Sequence, residues 1–136
     1  MVRAARCGWL VVVLVLVGCA KDEDYMEVYR EQRANYKELA DILATIKDEK
    51  SLADAKSALD DRSKRFAAVA RKANALPKPP PESVRKRLED DAFTMRRTIE
   101  QLQDEINRVR RDVKGGEEFW KQFESISPGL LSTVQP

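Results

Sequence analysis

Histidine is absent from all 136 residues. With it goes the side chain that most often serves as a general base near neutral pH and most often ligates transition metals. Cysteine is nearly absent, at Cys7 and Cys19 alone, which rules out the multi-disulfide framework that staples many small exported domains. Glycine is sparse, and Gly115-Gly116 stands alone, so there is no glycine-rich loop to cradle a phosphate. No apolar run reaches the ~20 residues that a membrane-spanning helix needs. Net charge is small as well, at +2 from 25 basic and 23 acidic residues. Arg3 and Arg6 alone account for that excess, so the charge balance gives no support for nucleic-acid binding.

The chain opens instead with a short positive stretch, Arg3 and Arg6, followed by nine apolar residues from Trp9 to Val17 and the small Gly18. That order is the pattern of an export signal. Leu16-Val17-Gly18-Cys19 ends it, and Ala20-Lys21-Asp22-Glu23-Asp24 follows with an abrupt change to charge. Leu16 to Cys19 resembles the lipobox of bacterial lipoproteins. The resemblance implies that residues 1–18 are a signal peptide, that the Cys19 sulfur receives a diacylglyceryl group, and that the mature chain begins at Cys19. The chemistry suits the residue types, because a thiolate is the best side-chain nucleophile for forming a thioether, and two or more acyl chains give stable anchoring. An ordinary cleaved signal that happens to end in cysteine is the competing reading. Ala20, which is not Asp, favours the outer over the inner membrane by the same resemblance. Cys7 would leave with the signal, so no mature thiol remains for a disulfide, a metal or catalysis.

Residues 19–24 are expected to form the lipidated N-terminus and a short tether, residues 25–126 a helical bundle, and residues 127–136 a flexible tail. Breakers cluster only at Pro77 to Pro81, Gly115-Gly116 and Ser127-Pro128-Gly129, and the rest is rich in Ala, Glu, Lys, Leu and Arg, a composition of long helices and coiled coils. The spacing predicts helices over about 24–48, 51–76, 82–114 and 117–125. The first carries a heptad-type stripe of Tyr25, Tyr29, Gln32, Tyr36, Leu39, Leu43 and Ile46, widened by Ile42. The second carries Leu52, Ala55, Leu59, Arg62, Phe66, Val69, Ala73 and Leu76. Arg62 is its one polar member, placed to reach solvent or a carboxylate on a neighbouring helix. Ser51 and Asp54 have the spacing of a capping box, although an unbroken helix through Ser51 is the competing reading. The third carries Leu88, Ala92, Met95, Ile99, Leu102, Ile106, Val109 and Val113, flanked by Val84 and Phe93. Proline lacks the N–H donor and clashes with the preceding turn, so residues 77–81 form a stiff connection. Stripes this narrow must be covered, and short connections lead to an all-α fold, an antiparallel three-helix bundle or coiled coil with a short C-terminal helix folded over the end of the third.

Candidate sites are few. Asp60-Asp61, Asp90-Asp91 and Glu117-Glu118 are adjacent carboxylates that point different ways on a helix. Arg85-Lys86-Arg87 and Arg108 to Arg111 are basic but interleaved with acids. Tyr25, Tyr29 and Tyr36 suit either seam packing or a membrane interface. Phe119, Trp120 and Phe123 share one face and are the best candidates for a partner surface, with a lid on the bundle as the alternative. Expected catalytic, cofactor-binding and metal residues are none; the one assigned residue is Cys19, as lipid acceptor. The segment Ile42 to Glu49, with Ser51, Ala53, Ala55, Lys56 and Leu59 and the Ala75-Leu76-Pro77 break, is similar to small uncharacterised helical lipoproteins of planctomycete-type bacteria. That resemblance implies no activity. Three functions follow as expectations: a non-enzymatic envelope lipoprotein held to the membrane through Cys19 and meeting an envelope protein, a self-associating coiled-coil spacer, and an enzyme with a carboxylate-only site.

Overall fold

A computed structural model describes residues 20–126. The lipobox Leu16 to Cys19 and the tail 127–136 lie outside the described residues. Within them the chain is all-α, with α1 (Asp22–Thr45), α2 (Glu49–Ala75), α3 (Glu82–Asp112) and α4 (Gly116–Ile126). The three long helices run up, down and up. Tyr25 near the start of α1 donates from its hydroxyl to the Pro77 carbonyl at 2.8 Å, and Arg108 late in α3 reaches the Leu43 carbonyl at the end of α1. The fold is the helical bundle that the stripes require. α1 begins earlier than the spacing predicts, taking residues 22–24 into its first turn. Asp22, Glu23 and Asp24 there are favourable to the positive end of a helix dipole.

α1 is the centre. It packs against both α2 and α3, whereas among the described residues no Cα atom of α2 comes within 8 Å of one of α3. A helix with two neighbours needs a broader apolar face than a two-stranded seam does. Accordingly Asn35 and Tyr36, and Leu39 and Ala40, are buried as adjacent pairs. One core runs through Tyr36, Leu39, Leu43 and Ile46 of α1, Leu52 and Leu59 of α2, and Leu102, Ile106 and Val109 of α3. The first half of α3 behaves differently from its predicted stripe. Val84 is fully buried, Leu88, Met95 and Ile99 are half-buried, and Ala92 and Phe93 are exposed. The separation of the α2 and α3 backbones accounts for this, since it leaves α1 as the one helix whose backbone lies close to this stretch.

The helix ends explain why the chain breaks where it does. The cap of α2 is Asp48 rather than Ser51. The Ser51 N–H donates to the Asp48 carboxylate at 2.8 Å, and the Asp48 N–H donates to the Ser51 hydroxyl at 2.9 Å. This is a reciprocal capping box displaced three residues from the Ser51–Asp54 pair that the spacing suggests, and it separates α1 from α2. The end of α1 has no basic residue of its own in its last turn. Arg108 of α3 supplies one, donating to the Leu43 carbonyl at 2.7 Å and the Ile46 carbonyl at 2.8 Å, while its Nε donates to Glu105 at 2.8 Å. The Leu43 carbonyl also accepts from the Ile46 N–H at 3.0 Å, so the guanidinium adds a second donor there, reaches the Ile46 carbonyl beyond the last turn, and opposes the negative end of the dipole. After α3, Gly115 adopts φ of 82°, the left-handed stop. A Cβ on Gly116 would lie 2.1 Å from the Val109 carbonyl oxygen, so only glycine lets α4 start this close to α3.

Arg108→Ala is expected to lower stability by about 1.5–3 kcal/mol, the range for hydrogen bonds to a charged group. Arg108→Lys should restore only part of it, because an ammonium lacks the planar fork that spans two carbonyls. Urea unfolding measures the loss, and hydrogen exchange at residues 43–46 should show that end of α1 fraying first.

Candidate functional site

The aromatic face of α4 is turned inward. Trp120 is 1% and Phe123 4% exposed, and Phe119 is half-buried against the same core. The Trp120 and Phe123 rings stack at 5.3 Å between centroids, and those of Phe119 and Phe123 at 6.2 Å. Trp120 keeps its one polar atom satisfied by donating from Nε1 to Glu124 at 2.9 Å. The partner surface drawn from Phe119, Trp120 and Phe123 is thus corrected to a lid. The reason is geometric: α4 packs on both α2 and α3, so it lies over the space where those helices do not meet.

The basic cluster 108–111 is occupied internally. Arg108 caps α1. Arg110 donates to both carboxylate oxygens of Glu117, at 2.7 and 3.2 Å, pinning the first turn of α4. Arg111 pairs with Asp112 at 2.7 Å. In the other cluster Lys86 pairs with Glu82 at 3.4 Å and Arg87 with Glu23 at 3.9 Å. Members of the adjacent carboxylate pairs are matched to cations of their own or a neighbouring helix. Asp60 and Asp61 both face Lys64 on the exposed side of α2, at 4.0 and 3.6 Å, and Glu117 serves Arg110. Among the described residues no group of three or more His, Cys, Asp or Glu side chains is placed to hold a metal ion. An open depression of about 550 Å³ between α1 and α2 is lined by Asp41, Ile42, Thr45, Ser51, Asp54, Ala55 and Ala58. It brings the carboxylates of Asp41 and Asp54 to one rim with the hydroxyls of Thr45 and Ser51, and holds no histidine, thiol or cation.

The tyrosines join helices. Tyr36 is buried with its ring 5.4 Å from Phe66, and its hydroxyl accepts from Gln32 at 2.9 Å. Tyr29 donates to the Asp91 carbonyl at 3.2 Å, and burial first, then the Asp91 carboxylate, pushes its pKa up, keeping it a donor. The spacing missed a polar layer between α1 and α2. Arg62 pairs with Glu38 and lies 3.4 Å from the Asn35 side-chain oxygen, and Asn35 and Ser63 are both buried. Arg62 itself was visible as the odd member of an apolar stripe; Asn35 and Ser63 carried no such mark.

No protein-family model, curated protein or solved structure matches this chain.

Trp120→Ala should cost about 3–5 kcal/mol, as large core truncations do, while Phe93→Ala on the exposed face of α3 should stay within about 0.5 kcal/mol; denaturant midpoints of the two variants decide this. Stability should also fall in acid. Hydrogen bonds from Ser51 hold Asp48 below its ordinary 3.8, and the Arg110 guanidinium holds Glu117 below its ordinary 4.5. A carboxylate lowered by folding stabilises the fold above its unfolded value, and that contribution is lost as pH falls through the folded value. Thermal unfolding should therefore be level above about pH 5 and decline below it, with a shallower decline in Glu117→Gln.

Proposed function

We propose that this chain is an exported lipoprotein, anchored through Cys19 and carrying a non-enzymatic helical bundle at the surface of an envelope membrane. The sequence of Leu16-Val17-Gly18-Cys19 behind a nine-residue apolar run carries this reading. The composition of the remainder supports it, since no described helix is long and apolar enough to cross a membrane and an acyl anchor would then supply the attachment. The non-enzymatic part rests on chemistry that the sequence lacks. Without histidine, and with Cys19 acylated, acid–base and nucleophilic roles fall to carboxylates, of which Asp41 and Asp54 share an open, shallow depression and Asp60, Asp61 and Glu117 are paired with cations.

Self-association into a coiled-coil spacer is the second reading. It requires an apolar stripe left uncovered. Leu39, Leu43, Leu59, Leu102, Ile106 and Val109 are covered within one chain, and among the described residues only the short stripe of Leu88, Met95 and Ile99 beside the exposed Phe93 remains for self-association, which favours a bundle that meets other envelope components through its polar sides.

Cys19→Ala should abolish incorporation of labelled fatty acid and move the protein out of the membrane fraction. Unchanged labelling and partitioning would remove the central claim. Light scattering on the soluble form lacking residues 1–19 should give a monomer; a stable dimer or larger assembly would favour the spacer.

A further inference from the structure

Resting on the lipid-anchor reading, we propose that one end of the bundle is a lipid-facing base. The first turn of α1 and the Pro77–Pro81 connection sit in the headgroup layer, and the α1–α2 turn is held far from it. Only Ala20 and Lys21 separate Cys19 from the start of α1 at Asp22. Fully extended, that stretch reaches about 10 Å from the Cys19 Cα to the Asp22 Cα, close to the ~5–8 Å depth of one headgroup layer. An acylated Cys19 therefore brings α1 down to the lipid surface with no linker between.

The tether cannot easily be lengthened by unwinding α1, because its first turns are part of the packed bundle. Met26 is 3% exposed, and Val84, at the same end, is fully buried. Tyr25 donates to the Pro77 carbonyl at 2.8 Å, and Ser83 donates to Asp22. What descends to the membrane is a formed surface that joins the start of α1, the 77–81 connection and the start of α3.

Charge favours this end over the flanks. The acids at the base are already matched to protein donors. Asp24 accepts from the Lys21 N–H at 2.8 Å, Asp22 from Ser83, Glu23 from Arg30 at 2.5 Å, and Glu82 pairs with Lys86 at 3.4 Å. Lys21 and Lys78 are exposed there; Lys78 spends one long hydrogen bond, 3.4 Å, on the Asn74 side-chain oxygen and keeps two donors for lipid phosphates. The α1–α2 flank presents Asp41 and Asp54 together around its depression, whereas Asp60 and Asp61 on the α2 side share Lys64 at 4.0 and 3.6 Å. Laying the Asp41–Asp54 flank against anionic headgroups would set like charges together and remove their water. At 1.5 Å per residue the 24 residues of α1 then lift its far end by about 36 Å.

The absence of other mature thiols makes the test direct. Lys78→Cys at the base and Lys50→Cys at the far end replace exposed residues, and each gives one reactive thiol in the acylated chain. The full acylated protein, labelled with a fluorophore, is bound to phosphatidylethanolamine–phosphatidylglycerol vesicles containing nitroxide-headgroup lipid. Emission at position 78 should be lost and emission at position 50 retained. A Gly-Ser spacer inserted between Lys21 and Asp22 should restore emission at 78. Equal quenching at both positions, or quenching at neither while the protein floats with the vesicles, overturns the lipid-facing base but leaves the anchor standing. Failure to float overturns the anchor and the base together.

Discussion

α1 has to be covered from two sides by helices whose backbones stay more than 8 Å apart among the described residues, and the remainder of the architecture follows from that constraint. A three-helix bundle closed on itself would bury one stripe per helix. Here α1 buries a broad face while α2 and α3 stay apart, so the core has a gap that only bulky side chains can fill. Trp120 and Phe123 fill it at one end, and the short α4 exists to deliver them. At the other end the gap is closed by less, and Leu88, Met95 and Ile99 remain half-exposed.

The same central helix is held in register by polar groups. Its C-terminal carbonyls are taken by Arg108, some 60 residues on in the chain, and its middle meets Arg62 through Glu38 and Asn35. Apolar contacts between long helices are tolerant of sliding by a turn. A guanidinium that fits two particular carbonyls is not, because a shifted register leaves buried polar groups without partners. No buried side-chain nitrogen or oxygen lacks a hydrogen-bond partner among the described residues, which is the condition under which such contacts favour one arrangement.

The order and approximate length of the helices were legible because prolines 77 to 81 and glycines 115 and 116 are unambiguous and the stripes between them are regular. The burial of Tyr36, Leu39, Leu43, Leu59 and Leu102 could be read the same way. Three things could not. The α2 cap lay within a run, Asp48 to Asp54, that offers several residues able to cap, and only the backbone selects Asp48. The role of Arg108 depends on a carbonyl on another helix, and nothing local distinguishes it from Arg110 or Arg111. The Phe119–Trp120–Phe123 face reads alike as lid or docking surface, since both need a row of aromatics; the distance between α2 and α3 decides, and sequence periodicity does not encode it. For Cys19 the reverse holds: its assignment comes wholly from the residues around it.

The placement of the α4 lid after the three long helices has a consequence for biosynthesis. A nascent polypeptide lengthens from α1 towards α4, so the central helix is made first and the residues that seal its neighbours are made last. The α1–α2 hairpin can form early, but α3 must double back across a sequence separation of some 60 residues, and the space beside it stays open until Phe123 has emerged. A chain interrupted before that point presents Leu39, Leu43 and Leu102 to chaperones and proteases. Completion of the aromatic turn of α4 therefore closes a core that the three long helices leave open at that end.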